Sequence, residues 1–406
     1  VAGPLRLSRI ARSPLLTPAL DAIAVSAVSV VPLNLVAALS VQIAAELHFT
    51  AGALGAASAA FFGSQAVCSP FVGRLVDAVG ARPAMRLTSL LVALNLAVSG
   101  AFTASLGTLM ISLMVAGAVN ALAQPATNQF VAERIPFRRQ GSAYGAKQSA
   151  IPVASLAAGL AVPALGLTIG WRWTFVVFAV VAGCLALRSP GGRRSMGAAP
   201  IPAARPTTLT RRSLVVLSVS SGLAAACGSS LGVFLVQGAV ADGWTEGGAG
   251  LLLATASIFG VIGRFVAGVR ADHRDGRHLR VVSLMMAGGA IGTALMATGV
   301  PAAFVVGAVV AYGVGWGWPG LFIFAVVRLN SSRPAAATAF TQGGTAIGAV
   351  AGPVCFGLWV DTHSFATAWA GVACVLLIAG AVGWLARRMI IAEDPFGDAV
   401  PFAQPT

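Results

Sequence analysis

The chain has 406 residues, 57% of them hydrophobic and 9% charged, with a formal net charge of +14. Soluble globular domains carry about 25% charged residues, so this composition excludes an ordinary water-soluble protein and points to lipid as the solvent. The positive balance alone would suit nucleic acid, but the placement of the charges argues against that partner.

Apolar runs of roughly 18 residues or more, each long enough to cross a hydrocarbon core of ~30 Å, recur twelve times. They are expected near 15–41, 51–72, 85–105, 108–132, 141–166, 173–188, 213–238, 249–270, 281–299, 302–328, 335–359 and 366–388, numbered here as spans 1 to 12. The expected class is an all-α membrane protein. With the N-terminus on the cytoplasmic side, 23 of the 26 basic residues fall in cytoplasmic segments, and Arg172 alone falls outside. This asymmetry sets the expected orientation, both termini cytoplasmic in a multi-pass cytoplasmic membrane protein. The first run is too long for a cleavable signal peptide and leads into the helical series; the missing initiator Met suggests trimmed or mature numbering. All five cysteines lie in apolar runs and form no CxxC or Cys/His cluster, so no metal, disulfide framework or cofactor is expected.

Three ionisable residues stand inside runs. Span 1 holds Asp21, span 5 holds Lys147, the one lysine of the chain, and span 8 holds Arg264. Each is about six residues from the cytoplasmic end, or ~9 Å deep at 1.5 Å per residue. Charges at such depth face a cavity or a partner by default; snorkelling of the long basic stems to the interface is the competing reading. Asp21 and Lys147 could pair, either as a fixed strut or as a proton switch in which protonated Asp21 frees Lys147 for an anion.

Between spans 2 and 3 runs "GRLVDAVGARP", Gly73 to Pro83. Glycine allows close helix approach, the aspartate can face a helix N-terminus, and the arginines anchor the inner surface. Span 4 places Asn120, Gln124 and Asn128 at i, i+4 and i+8, three amides on one face. They line a central cavity or bond to a neighbouring helix. In span 5, Lys147 is followed by Gln148. Residues 188–212, rich in Pro, Gly and Arg, read as a flexible cytoplasmic linker. The expected division is 1–188, a six-helix bundle; 189–212, linker; and 213–406, a second bundle with a short tail.

The second half repeats the first. Gln42, Gly73 and Asp77 recur 195 residues later as Gln237, Gly268 and Asp272, and Pro125 and Gln148 recur 194 residues later as Pro319 and Gln342. A shift of six spans preserves orientation, so the halves are parallel repeats about an axis along the membrane normal. Between spans 8 and 9 lies "GVRADHRDGR", Gly268 to Arg277. Span 10 carries "YGVGWGWPG", Tyr312 to Gly320, whose Trp316 and Trp318 either wall the cavity or simply pack.

The two junctions resemble the signature of the major facilitator superfamily: a Gly, an Asp four residues on, and a closing Gly-Arg or Gly-Lys between helices 2 and 3, with a weaker copy between 8 and 9. Gly73, Asp77, Gly80 and Arg82 fit the first copy with Ala81 intervening; Gly268, Asp272, Gly276 and Arg277 fit the second with one extra residue. The resemblance spans nearly the whole chain. It implies two pseudo-symmetric six-helix bundles, transport by alternating access, and Gly73, Asp77, Arg82, Gly268, Asp272 and Arg277 as conformational latches. Loop anchoring is the plainer reading of the two aspartates.

"GRFVAGVRAD", Gly263 to Asp272, is similar to helix 8 of oxalate/formate exchangers and monocarboxylate porters. There the matching arginine binds the substrate carboxylate, a task that suits a planar, permanently charged fork. Those exchangers place a second cation on helix 11. This chain has Thr341 and Gln342 there instead, so Lys147 on the pseudo-symmetric helix 5 is the candidate substitute. The expected function is secondary active transport of a small anion, an organic carboxylate, with symport of protons through Asp21. The expected binding residues are Lys147, Arg264, Gln148, Gln342, Asn120, Gln124 and Asn128. Expected partners are the anionic substrate, protons and the lipid bilayer, with no nucleic acid, in a monomer. Drug/proton efflux is the alternative, since "AGLAVPAL" and "GAVAGPVCFG" in spans 5 and 11 loosely resemble a Gly/Pro-rich antiporter motif; span 4, however, lacks the arginine usual in that class. A membrane sensor is a second alternative. No nucleophile–base set or phosphate loop supports an enzyme.

Overall fold

The computed structural model describes residues 16–134, 146–188, 208–272 and 276–393. Among these, twelve helices are long and apolar enough to cross a membrane. Spans 1 to 6 run Ala19–Ala38, Ala51–Val79, Ala81–Phe102, Leu106–Val131, Ala146–Ile169 and Trp171–Arg188. Spans 7 to 12 run Arg211–Ala241, Glu246–Ala271, His278–Met296, Pro301–Leu329, Pro334–Thr362 and Phe365–Glu393. Several helices continue beyond the apolar run that announced them. Span 2 reaches Val79, and spans 7 and 12 carry their arginines inside the helix, because long basic stems can lie along the apolar surface with their heads in the interface. Most of the expected linker falls outside the described residues; its last two residues, Arg211 and Arg212, begin span 7.

Local chemistry explains the main breaks. Thr50 caps span 2 by accepting from the Ala53 N–H at 3.3 Å. Gly80 adopts φ +90° and separates spans 2 and 3, a conformation that costs glycine nothing. Span 10 changes from α to π geometry over Ala311–Gly315 and restarts at Trp318, with Pro319 in its first turn. Proline tolerates a helix start because it has no N–H to satisfy there. Span 5 has a similar π segment at Val162–Gly166 with Pro163 in it.

The repeat reappears in the packing. Span 1 lies on 5, 2 on 4, 3 on 4 and 3 on 6 in the first bundle; 7 on 11, 8 on 10, 9 on 10 and 9 on 12 do the same in the second. Each of these pairs maps onto its partner by a shift of six. Between bundles, spans 2 and 11 pack together, as do 5 and 8, again pseudo-symmetric mates. The Gly/Pro-rich stretches of spans 5 and 11 serve packing between the bundles and within the second one. A Cβ at Gly159 would overlap the Gly250 carbonyl and the Ala254 backbone of span 8, and one at Gly352 would overlap the Ala226 backbone of span 7.

Thr210 donates to Glu393 at 3.0 Å, which puts the start of span 7 and the end of span 12 at one end of the molecule, here the terminal end. At the opposite end the bundles are pressed together. A Cβ at Gly55 would overlap the Pro353 carbonyl, and one at Gly357 the Ala51 carbonyl. The Asp361 carboxylate of span 11 accepts from Thr50 Oγ1 at 2.8 Å and from the Gly52 N–H at 3.0 Å, so it caps span 2 from across the interface. Gln42 donates to Glu246 at 3.1 Å, joining the chain after span 1 to the start of span 8. Toward the terminal end, Gly63 and Gly343 of the same two spans face open space. The interface between spans 2 and 11 is tight at the opposite end.

Among the described residues, Arg172 is the one Arg or Lys at the opposite end, and it forms an ion pair with Glu46 at 2.6 Å. That arginine holds the Glu46 carboxyl below its usual range; burial opposes the shift, and the bond from Trp171 adds to it.

Candidate functional site

Span 4 is tied to its neighbours by a ladder of polar side chains. Near the middle of span 1, Ser29 donates to Asn120 Oδ1 at 2.9 Å, and one turn nearer the terminal end Ser26 donates to Thr127 at 3.2 Å. Ser155 of span 5 donates to Asn34 of span 1 at 2.6 Å. Next along span 4, Lys147 of span 5 donates to Asn128 Oδ1 at 2.6 Å, to Gln124 Oε1 at 3.0 Å and to the Gln124 carbonyl at 3.5 Å. The i, i+4, i+8 amides thus do two jobs: Asn120 binds span 1, while Gln124 and Asn128 hold the ammonium. Lys147 is only 5% exposed, and its three donors are all engaged by neutral oxygens.

Arg264 of span 8 is 3% exposed. Its Nε and Nη2 both donate to the Trp316 carbonyl, at 3.1 and 2.9 Å, and its Nη1 donates to the Gln148 carbonyl at 2.8 Å. The guanidinium also lies over the Trp316 ring, 5.2 Å from its centroid. The Trp316 acceptor is supplied by the break in span 10, where the regular i→i−4 ladder stops. The Gln148 acceptor belongs to the other bundle and to the residue beside Lys147. The two buried cations are therefore in one layer, on either side of the inter-bundle interface. A small cleft of about 10 Å³, room for roughly one water, adjoins Arg264, lined by Gln148, Arg264, Gly268, Ala271, Gly317, Gly320, Leu321 and Phe324.

Neither cation has a carboxylate partner among the described side chains; the Arg172–Glu46 pair is the ion pair found there, and it is at the opposite end. Removing a charge from water costs several kcal/mol even after relaxation, and carbonyl and amide oxygens return part of that cost through charge-assisted hydrogen bonds. They leave the net charge of the layer positive.

The other expected site residues are distributed unevenly. Gln148 contributes its backbone carbonyl. Gln342, its repeat mate, is exposed on span 11, and Asn128 is exposed on span 4 beside Lys147. Asp21 does not pair with Lys147. It is half-buried on span 1, and the cation that acts on it is Arg82 of the junction between spans 2 and 3. Lys147 lies on a helix face turned toward span 4, which explains why equal depth did not bring the two together. Among the junction residues, Gly73 faces open space rather than a close helix neighbour. Asp77 is exposed, and the Arg82 guanidinium is 5.9 Å from the Phe130 ring of span 4. Arg277 is exposed with φ +58°. Gly268 lines the cleft below Arg264. The side chain of Asp272 and residues 273–275 lie outside the described residues.

The two tryptophans of span 10 divide their roles. Trp316 covers Arg264 and packs on Gly228 and Gly232 of span 7, where any Cβ would collide with its ring. Trp318 is 2% exposed in the core of the second bundle. Sequence reasoning missed three features: the Trp316 carbonyl, the Asp361 cap, and Tyr312 beside Trp316. A backbone carbonyl has no side-chain signature, and Asp361 reads in the sequence as one more loop acid. Tyr312 could have drawn notice as one of two tyrosines in the chain.

The chain matches the family model described as Major Facilitator Superfamily twice, over residues 22–216 and 217–399. Among curated proteins no sequence matches. Among solved structures it is similar to a bacterial homologue of the human lysosomal transporter Spinster, in an inward-facing and occupied conformation. That likeness has a TM-score of 0.72 and 15% identity, covering 94% of this chain and 98% of the other. It is also similar to the nucleoside transporter NupG, at TM-score 0.70 and 12% identity over 91% and 99% of the two chains. The human organic anion transporter MFSD10 follows at TM-score 0.65 and 13% identity, again over 91% and 99%. Identities this low carry the fold and not the substrate. The doubled family match, the twelve helices and the six-shift symmetry of their packing agree: this chain belongs to the major facilitator superfamily and is a multi-pass membrane transporter.

Proposed function

We propose that the chain moves a small organic carboxylate across the cytoplasmic membrane, with both termini cytoplasmic, by alternating exposure of the layer that holds Lys147 and Arg264. The observation that carries this reading is the pair of buried cations, on opposite bundles, whose hydrogen bonds among the described residues all go to neutral oxygens. A bound carboxylate would supply the missing negative charge. Arg264 has five N–H donors, of which three are engaged; one on Nη1 and one on Nη2 remain, a fork matched to two carboxylate oxygens. Gln124 and Asn128 position the ammonium, and Asn120 ties their helix to span 1. Gln148 and Gln342 line the route from the terminal end. The tight opposite end is what an inward-facing state requires, and inward-facing is the conformation named for one of the similar structures.

A proton route through Asp21 is part of the same proposal. Proton binding at Asp21 would act through Arg82 and the junction of spans 2 and 3, which contains Asp77 and Gly73, rather than by release of Lys147. Uptake in proteoliposomes, with thermal stabilisation of the purified protein across carboxylate, neutral and cationic compounds, tests the reading. A ligand that binds the folded state raises its stability by mass action. Carboxylates should stabilise the wild type, and Lys147→Ala and Arg264→Ala should each abolish both uptake and stabilisation while inserting normally. A response confined to lipophilic cations would favour drug efflux and overturn the anion assignment.

A further inference from the structure

Spans 5 and 8 meet along one seam between the bundles, and three contacts follow each other along it toward the terminal end. Farthest from that end is the backbone approach of Gly159 to Gly250. Next, a Cβ at Gly260 would come within 3.2 Å of the Pro152 ring, and Pro152 is buried. One turn further along each helix, Arg264 Nη1 donates to the Gln148 carbonyl at 2.8 Å. That last contact is the polar one of the three, and Pro152 explains why its acceptor is on offer. In a regular helix the Gln148 carbonyl would accept from the N–H of residue 152, and proline has none. Span 5 is interrupted just there: Ser149 stands as a turn between helical residues, and its N–H bonds three residues back to the Ala146 carbonyl at 3.0 Å.

The other acceptor of Arg264 has a similar origin. Trp316 precedes the restart of span 10 at Trp318, with Pro319 in the first turn, and its carbonyl takes Nε and Nη2. One guanidinium therefore bridges a helix interruption in each bundle, and a proline stands at both. A buried carbonyl deprived of its helical donor is destabilising until another donor reaches it, and for Gln148 that donor comes from the opposite bundle. We infer that Pro152 is a positioning residue of the transport cycle: by withholding its N–H it leaves the Gln148 carbonyl to Arg264, which pins spans 5 and 8 together in this conformation and releases when the bundles part along the seam. This role is independent of which solute the protein carries, so it stands or falls apart from the anion reading above.

The experiment separates the missing N–H from the ring. Wild type is compared with Pro152→Ala, which restores the N–H in a residue that favours helix, and with the lactic acid analogue introduced at the same position by nonsense suppression. The analogue matches alanine in shape but carries an ester oxygen where alanine has its N–H. Spin labels on cysteines at the exposed positions Leu187 and Ser332, at the terminal end of opposite bundles and in a background free of native cysteine, report bundle separation by pulsed electron resonance. Pro152→Ala should raise the ratio of long to short distances about 3- to 10-fold, the low end of what a hydrogen bond to a charged group carries, because a carbonyl oxygen has two lone pairs and can still share with Arg264. The lactate form should match wild type. In an Arg264→Ala background the alanine and lactate forms should coincide, since the pin is gone from both. If the two forms already coincide with Arg264 present, the N–H has no part in holding the seam and the inference is overturned. A difference between them that survives Arg264→Ala overturns it as well, by showing that the N–H acts on span 5 alone.

Discussion

Replacing Asp361 by alanine should loosen the closed end. The carboxylate accepts from Thr50 Oγ1 at 2.8 Å and from the Gly52 N–H at 3.0 Å, so it caps one bundle's helix from the other bundle. Hydrogen bonds to a buried charged group contribute ~1.5–3 kcal/mol each, but Asp361 and Thr50 are both exposed. A discounted ~0.5–1 kcal/mol per bond, plus ~0.3–1 kcal/mol from the carboxylate facing the helix N-terminus, sums to about 2 kcal/mol. That corresponds to a roughly 30-fold shift in the ratio of closed to open molecules. Spin labels on cysteines placed at the exposed positions Ala45 and Ala241, in a background free of native cysteine, report the separation of the bundles at this end by pulsed electron resonance. Asp361→Ala should add or enlarge a longer-distance population, while Asp361→Asn, which keeps an acceptor, should fall between it and wild type. Superimposable distance distributions for the three proteins would refute the assignment of Asp361 as a latch.

The backbone contacts at the same end predict a stronger effect: Gly357→Val would place its side chain against the Ala51 carbonyl, which cannot give way as a flexible side chain can, and should abolish the short-distance population in the same labelled pair. Asp21→Asn should flatten the pH dependence of uptake yet leave carboxylate affinity within about twofold, because its charged neighbour is Arg82 and not Lys147; an unchanged pH profile removes Asp21 from the coupling. The Glu46 carboxyl lies below its usual range in the folded protein, so the stability it contributes is present above the unfolded-state value near 4.3 and is lost as pH falls through the folded value. For a pair this exposed the loss should be at most ~1 kcal/mol, visible as a small difference in acid-side melting between wild type and Arg172→Ala that vanishes at strongly acid pH.

Twelve spans, the six-shift repeat and the family could all be recognised in the sequence. These features follow from transfer of each segment into lipid, a cost set by composition along the chain and by where arginine is tolerated. The buried cations were legible for the same reason, since Lys147 and Arg264 interrupt apolar runs. What they touch was not. Asp21 and Lys147 share a depth, but depth is a one-dimensional coordinate, and contact depends on how each helix is rotated about its axis. That rotation is fixed by packing, by the close backbone approaches at Gly55, Gly159 and Gly357, and by the Ser29–Asn120 and Ser155–Asn34 bonds. The tertiary structure alone decided that Lys147 meets Gln124 and Asn128, that the break in span 10 gives Arg264 the Trp316 carbonyl, and that Asp361 reaches the start of span 2. Each depends on the relative position of helices far apart in the chain, which no segment encodes by its own composition.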